Sequence, residues 1–392
     1  MTREWLSLSH RFGKCFGLLK KEKTNWWFYW ERLFPVMLLM VFLLPVDHFS
    51  FLCFLPGLLF LPAASPRFRA ILIWLLWTLL SRLWGPFFPT GLLDFLPESM
   101  ILLAAYVAGR YSQEGKSWWQ AVMLALALIL FLIFVQAYAA PPYPSAWASP
   151  TDPVPFRATG AGLNPNTTGL LLAFLMPILL AGWEERHGVL KKRERYLTGL
   201  LFLLTFPALA FTFSRTAWAA AAAGLLFYGG SKKRVFRLRW LLLPLLAASF
   251  FSALMLRVQA PWHSSTFQYR WQIWQETWPI MKKYPLTGVG KPALVSYLQA
   301  TSLGVAHLHN HYWQLTAEKG MPALFIFGWL VYAYLILPFV RKNKLGQLSL
   351  LERGMTAALL GQLVAGLTES IWASPLLHFL FWFGFALLDG GN

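Results

Sequence analysis

Apolar runs long enough to cross a membrane recur along the whole chain, and short polar segments separate them. Because roughly 20 apolar residues suffice for a helix to cross a bilayer, this pattern predicts about twelve membrane helices. No polar stretch is long enough to form a core of its own, so we expect a single all-α membrane domain over residues 1–392. The predicted helices lie near residues 33–46, 49–64, 70–86, 91–108, 119–139, 166–183, 196–212, 215–230, 240–256, 321–340, 354–371 and 375–389.

Basic residues concentrate in every second connection between the predicted helices. Together with the amino-terminal segment 1–32, these connections hold about 25 of the 34 Lys and Arg residues, as the positive-inside rule requires of a cytoplasmic side. We therefore expect both termini and residues 1–32 to be cytoplasmic. The basic connections are Arg67 to Arg69, Arg110 to Lys116, Arg186 to Arg195, Lys232 to Arg239 and Arg341 to Arg353.

Composition agrees with a membrane protein and excludes several other classes. The chain is 57% hydrophobic and 13% charged, whereas soluble domains carry about 25% charged residues. Its net charge of +18 follows from the alternating basic connections and needs no nucleic acid. Its two cysteines, Cys15 and Cys53, offer neither a disulfide framework nor a metal-ligand cluster. No cofactor is expected.

Two long connections lie on the side opposite the basic ones. Residues 140–165 are rich in Pro and predict an extended loop, and residues 257–320 form the only sizeable extramembrane unit. Loops of such length are usually functional. Within the second loop, Trp271, Trp274 and Trp278 recur at helical spacing, which favours a short amphipathic helix at the membrane interface.

The basic residues on this outer side break the charge bias, so each requires a reason. Arg215 lies between two apolar runs, where an Arg usually faces a cavity or an anionic partner. Alternatively, it extends to the interface from a helix end. Arg270 can bind phosphate oxygens in a bidentate manner, or it is solvated or stacked on a Trp. The predicted outer basic residues are Arg82, Arg157, Arg215, Arg257, Arg270, Lys282, Lys283, Lys291 and Lys319.

Three histidines, His307, His309 and His311, alternate along the second loop. They could bind zinc, copper or nickel from one face of a strand, although no Cys or Asp joins them. A single His acting as a base is the better chemical interpretation, and a purely hydrogen-bonded role remains open. Guanidinium groups beside a neutral His suit transfer of a group from a lipid diphosphate to an alcohol.

Four short elements follow one another in order: Arg157-Ala158-Thr159-Gly160 with Asn164-Pro165-Asn166; Ser214-Arg215-Thr216-Ala217-Trp218; Arg270 to Trp274 with Pro285 to Gly290; and His309-Asn310 followed by Gly320. In order and placement, roughly from Arg157 to Ala323, they resemble the O-antigen ligase and polymerase superfamily of bacterial membrane glycosyltransferases. At one position the ligase pattern has a second glycine where this chain has Ala323, which leaves ligase and polymerase less clearly separated.

The resemblance implies a multi-helix fold of the glycosyltransferase C type and an inverting, metal-independent reaction. The implied donor is a glycan on undecaprenyl diphosphate, and the implied acceptor is a glycolipid or glycan hydroxyl such as that of a lipid A core. The reaction would take place on the outer face of the bacterial plasma membrane, among membrane lipids. The absence of an Asp-x-Asp pair from the outer segments agrees with metal independence.

Carried over to this sequence, the resemblance implies that Arg215 and Arg270 hold the diphosphate and that His309 activates the acceptor hydroxyl. Arg157 is a further candidate phosphate contact. The remaining candidate substrate-binding residues are Asn166, Asn310 and Glu318. A polymerase of the same superfamily remains an alternative. A polysaccharide or lipid transporter is the alternative from another class, but transporters place their binding groups near the midplane.

Overall fold

The computed structural model describes residues 35–37, 39–41, 65–112, 117–139, 156–161, 163–185, 190–229, 265–301, 304–344 and 347–390. These parts of the chain are helical, with no strand among them, which confirms the predicted all-α class. The helices are α1 (Pro66–Leu83), α2 (Phe88–Ser112), α3 (Ser117–Ala139), α4 (Pro165–Glu184), α5 (Lys192–Phe211), α6 (Arg215–Gly229), α7 (Ser265–Lys283), α8 (Lys291–Ala300), α9 (His311–Lys319), α10 (Met321–Val331), α11 (Leu337–Lys344), α12 (Leu350–Ala365) and α13 (Pro375–Leu387).

Five described helical stretches are long and apolar enough to cross a membrane, so the chain is a multi-pass membrane protein. The count of twelve and the assignment of sides stay predictions. The five stretches are Thr90–Ser112, Trp118–Ala139, Pro165–Glu184, Lys192–Phe211 and Met321–Lys342, the last running from α10 through a π-helical turn, Tyr332–Ile336, into α11. The predicted segment 1–32, the helices near 49–64 and 240–256, and the loop residues 140–155 and 257–264 lie outside the described residues.

Helix starts follow from local sequence. Asn164 caps α4, because its side-chain oxygen accepts a hydrogen bond from the Asn166 backbone at 2.8 Å. Pro165 then occupies the first turn, where its missing N–H is not needed. The same pairing of a capping residue with Pro begins α13 at Ser374. The Asn-Pro-Asn element noted in the sequence is thus a helix start that fixes where Asn166 lies.

Helices α4, α6 and α12 form the centre of the bundle. Within α4, 83% of an apolar 18-residue stretch is buried. Small residues permit their close approach. A Cβ on Gly361 of α12 would lie 2.6 Å from the Ala220 carbonyl oxygen of α6, and one on Gly354 would lie 2.8 Å from the Pro177 carbonyl oxygen of α4. The order of these contacts makes α12 antiparallel to α4 and α6. The start of α4, the start of α6 and the end of α12 therefore meet at one end of the bundle.

The sequence predicts a helix over 354–371, but α12 ends at Ala365. Gly366 begins a turn, and its carbonyl oxygen accepts a hydrogen bond from the His311 backbone at 2.8 Å. The backbone N–H of Glu369 returns to the Ala365 carbonyl at 2.9 Å. This turn brings the polar residues after Gly366 to the end of the bundle where α4 and α6 begin.

A glycine-dependent contact fixes the other end of α9. The backbone N–H groups of Val289 and Gly290 donate to the carbonyls of Ala317 and Glu318 at 2.9 and 3.0 Å, which satisfies the open end of the helix. Gly320 follows with a φ of 79°. A Cβ there would overlap the carbonyl oxygen of Leu286. The glycines noted in the sequence are therefore points where two backbones touch.

Candidate active site

His309 lies immediately before α9, where the chain enters the helix. The next residue, Asn310, caps α9 by accepting a hydrogen bond from the Trp313 backbone at 2.9 Å, and its amide donates to the Leu367 carbonyl at 3.0 Å. His309 itself has a φ of 50°. This conformation costs a non-glycine residue on the order of 1–3 kcal/mol and is concentrated at functional sites. The candidate Asn310 therefore anchors the segment that holds His309.

The carboxylate of Glu369 contacts the imidazole of His309. The His309 Nδ1 atom lies 3.2 Å from Glu369 Oε1, and His307 Nε2 lies 3.4 Å from the same oxygen. Burial alone would raise the pKa of Glu369, but its contacts with the two histidines outweigh burial and hold the pKa well below the usual range. The group is therefore a carboxylate at neutral pH. If His309 donates from Nδ1, its Nε2 atom carries the lone pair of a base.

The second oxygen of Glu369 accepts a hydrogen bond from the Asn166 amide at 3.2 Å. The side-chain oxygen Oδ1 of Asn166 accepts in turn a hydrogen bond from Arg157 Nη2 at 2.6 Å, and Arg157 Nε donates to the backbone carbonyl of Thr212 at 3.0 Å. Both candidate residues thus lie in a chain of hydrogen bonds that ends on the carboxylate. This chain holds Glu369 from the α4 side, and it connects the loop before α4 to the end of α5.

Arg270 lies in α7, the predicted Trp-bearing helix, which packs against α9. Trp313 of α9 donates its indole N–H to Thr277 at 3.0 Å and stacks on Trp278 with ring centroids 5.7 Å apart. Burial lowers the pKa of Arg270, the Glu369 carboxylate opposes this shift, and the positive charge of Arg215 adds to it. The structure therefore brings Arg270 within electrostatic range of both Glu369 and Arg215.

Arg215 is the first residue of α6 and is exposed. Phe213, two residues earlier, has a φ of 49°, and the other non-glycine residue with positive φ in the described part of the chain is the candidate His309. The next residue, Thr216, lies 3.0 Å from Thr368, the two hydroxyl oxygens being paired. Since Thr368 precedes Glu369, the start of α6 lies directly beside the carboxylate.

The remaining candidate, Glu318, joins a different cluster. It accepts a hydrogen bond from Gln314 at 2.5 Å, and its other oxygen lies 3.6 Å from the buried Lys319 ammonium. Lys319 also pairs with Glu98 at 2.9 Å, and Arg82 pairs with Asp94 at 3.1 Å. The predicted outer residues Arg82 and Lys319 are thus buried ion-pair partners, with 2% exposure each.

A family model described as O-antigen ligase matches residues 200–328. Over these residues the chain is similar to the O-antigen ligase family. The resemblance drawn from the motifs is confirmed over this segment, which contains Arg215, Arg270 and His309. No curated protein matches the chain.

The O-antigen ligase segment contains part of a group that could hold a metal ion. The donor atoms of His307, His309 and Glu369 all lie within 4.8 Å of one another, and two imidazoles with one carboxylate are a known ligand set for iron and zinc. His311 does not belong to this group of possible metal ligands. Its ring packs against Trp372, with the ring centroids 4.5 Å apart. The described residues before α9 form no strand, so the alternative in which three histidines bind a metal from one strand face is not the arrangement observed.

Sequence reasoning did not find Glu369, which lies outside the O-antigen ligase match and inside the helix predicted over 354–371. A signal was present, because Thr368-Glu369-Ser370 interrupts two apolar runs on the outer side of the predicted topology. A carboxylate at such a position is costly unless it is paired. The carboxylate partner of the histidines comes from a turn about 60 residues further along the chain.

Proposed function

We propose that this chain is an O-antigen ligase-like glycosyltransferase that moves a glycan from undecaprenyl diphosphate to an acceptor hydroxyl such as that of a lipid A core. One observation carries the proposal: His309, within the O-antigen ligase match, contacts the Glu369 carboxylate at 3.2 Å beside Arg270 and Arg215. A base held by a carboxylate next to paired guanidiniums suits attack on a sugar with a diphosphate leaving group.

In this proposal, Arg215 and Arg270 hold the diphosphate of the donor. Arg215 begins α6, so the positive end of the helix dipole adds to its charge. The mutual repulsion of the two guanidiniums is relieved when an anion lies between them. Arg270 is half-buried, where a charge-assisted bond to a phosphate is stronger than in water.

The chemical step is a single displacement at the anomeric carbon. The acceptor hydroxyl gives its proton to Nε2 of His309 as its oxygen forms the new glycosidic bond. The bond between the anomeric carbon and the phosphate oxygen breaks, and its electron pair leaves on undecaprenyl diphosphate. Glu369 stabilises the imidazolium that forms, and Asn166 with Arg157 holds Glu369 in place. In this arrangement, Arg157 and Asn166 are positioning residues rather than direct phosphate contacts.

The proposed reaction takes place on the outer face of the bacterial plasma membrane, with both termini in the cytoplasm. Support comes from the alternation of basic connections, which predicts that the loop bearing Arg270 and His309 lies on the side opposite the basic connections. We also propose that transfer needs no metal. His307 and His309 both contact the Glu369 carboxylate, so this carboxylate has partners without a metal ion. We therefore expect activity to survive EDTA.

The test is transfer by purified protein in nanodiscs, given an undecaprenyl diphosphate glycan with or without a lipid A core acceptor. A product of donor plus acceptor supports the ligase, and longer donor chains without acceptor support a polymerase. His309→Ala is expected to slow transfer by about two to four orders of magnitude. Binding of donor with neither product would contradict the proposal and favour a transporter.

A further inference from the structure

A small cavity opens beside the proposed active site. It lies between α2, α9 and the segment that joins α12 to α13, and its volume is about 50 Å³. His307 lines it and also contacts Glu369, the carboxylate that contacts the proposed base His309, so the cavity lies next to the proposed site. Since a water needs roughly 10–15 Å³ of such space, the cavity holds a few water-sized groups rather than a whole sugar ring.

Some residues of the cavity wall carry buried polar atoms with no hydrogen bond to the described part of the chain, and His311 and Trp372 are two of them. His311 is 2% exposed, and its Nε2 atom has no hydrogen bond to any described residue; the same is true of the Trp372 indole N–H. Both residues line the cavity. Buried polar groups are nearly always hydrogen-bonded. A wall with unsatisfied polar groups favours an occupant with hydrogen-bonding groups of its own over an apolar one.

The charges of the wall select the kind of occupant. Three carboxylates line the cavity, those of Asp94, Glu98 and Glu318, and they face the cations Lys291 and Lys319. The carboxylates would repel a phosphate. The Lys319 ammonium, which already forms an ion pair with Glu98 at 2.9 Å, would repel a metal ion. A neutral group that both donates and accepts hydrogen bonds fits this mixture, and a sugar hydroxyl is such a group.

We propose that this cavity is a saccharide subsite that holds one edge of a sugar ring through its hydroxyls and delivers a neighbouring hydroxyl or anomeric carbon to His309. The proposal rests on the proposed transferase function and deepens it. The saccharide belongs either to the acceptor or to the donor glycan. The volume admits one edge of the ring, and the rest of the sugar lies in the open mouth, where Ala306 and Ala373 are exposed.

The test uses two variants and a matched control. Ala306→Leu blocks the mouth without removing a charge, and Ala300→Leu makes the same change on an exposed residue at the end of α8, away from the cavity. His311→Phe keeps a ring of similar shape and removes the unpartnered nitrogen. KM for the lipid A core acceptor and KM for the donor are measured separately, with thermal unfolding as a check on folding.

We expect Ala306→Leu to raise one of the two KM values about tenfold. His311→Phe should raise the same value roughly two- to tenfold, the usual worth of one hydrogen bond. Ala300→Leu should leave both unchanged. A rise confined to the acceptor identifies the acceptor's sugar, and one confined to the donor identifies the donor glycan. Unchanged KM values for both substrates in both variants would overturn the subsite.

Direct binding separates this proposal from the transferase function. The probes are lipid A core oligosaccharide and the glycan released from the donor, each followed by saturation-transfer NMR on protein in nanodiscs. Binding by wild type and by Ala300→Leu, with loss in Ala306→Leu, supports the subsite even if no transfer occurs. Absence of binding to wild type by either oligosaccharide, in a protein that does not turn over, would overturn it.

Discussion

Replacing Glu369 by Gln tests whether the carboxylate acts through His309. The substitution keeps the shape of the side chain and a hydrogen-bond acceptor, but it removes the charge. In the structure, one oxygen of Glu369 meets His309 at 3.2 Å and His307 at 3.4 Å, and the other meets Asn166. Glutamine can therefore occupy the same place, and we expect the variant to fold.

The magnitude follows from the charge that forms on His309 during transfer. A unit positive charge 3.2 Å from the carboxylate is attracted by about 5 kcal/mol at an effective dielectric constant of roughly 20. Glutamine retains a hydrogen bond, so we expect a loss of about 3–5 kcal/mol in the transition state. This loss corresponds to transfer slower by about 10² to 10⁴.

The assay is single-turnover transfer with saturating donor, which separates chemistry from binding. Glu369→Asp keeps the charge on a shorter arm and should recover part of the rate, whereas the exposed Glu276→Gln on α7 should behave as wild type. In a His309→Ala background, Glu369→Gln should cost little more, because residues that act as a unit are not additive. Wild-type turnover by Glu369→Gln would refute the reasoning.

Three further results are expected. Gly320→Ala should lower thermal stability by more than 1 kcal/mol, since its φ of 79° is strained for other residues. Gly328→Ala, whose Cβ meets nothing within 4 Å, should be neutral or slightly stabilising; equal losses in both would contradict the close contact. Arg270→Lys should transfer more slowly than wild type, because an ammonium cannot replace the planar guanidinium on a diphosphate; an unchanged single-turnover rate would contradict this role. Burial, with the charges of Lys319 and His378, lowers the pKa of His311 to about 3. His311 therefore does not reduce the free energy of unfolding above pH 6.5, where it is neutral in both states. Below pH 6.5 it lowers the free energy of unfolding progressively, by about 2 kcal/mol at pH 5. His311→Phe should show a shallower loss in thermal unfolding between pH 7 and pH 5, and an identical slope would contradict the burial of the ring.

The sequence predicted the elements that depend on local patterns. Trp271, Trp274 and Trp278 recur at helical spacing, and α7 contains all three. Helices α3, α4 and α6 begin and end within a few residues of the predicted bounds, because apolar length and capping residues decide them. Where a turn depends on contacts from another part of the chain, as after Ala365, the apolar pattern alone extended the helix too far.

The candidate site was predicted in part for the same reason. Arg270 and His309 could be named because they stand out in their own segments, and the structure brings both to Glu369. The carboxylate itself could not be paired with them, since no spacing along the chain relates residue 369 to residue 309. Glu318, a candidate substrate-binding residue, contacts Lys319 and Gln314 from α9 and also lines the cavity beside His307, and its role in binding stays a prediction.

The turn after α12 has a consequence for how relatives of this chain are recognised. The family comparison identifies residues 200–328, yet the carboxylate that holds His309 comes from Glu369, and the groups that hold the carboxylate come from Asn166 and Arg157. A homologue can therefore retain the matched segment and lose the contact between the histidine and the carboxylate through one change near its carboxyl terminus. In the proposed mechanism, such a chain would still bind a lipid diphosphate through its arginines but would transfer glycans slowly. Whether a similar chain retains the proposed base therefore depends on this turn, which the matched segment does not include.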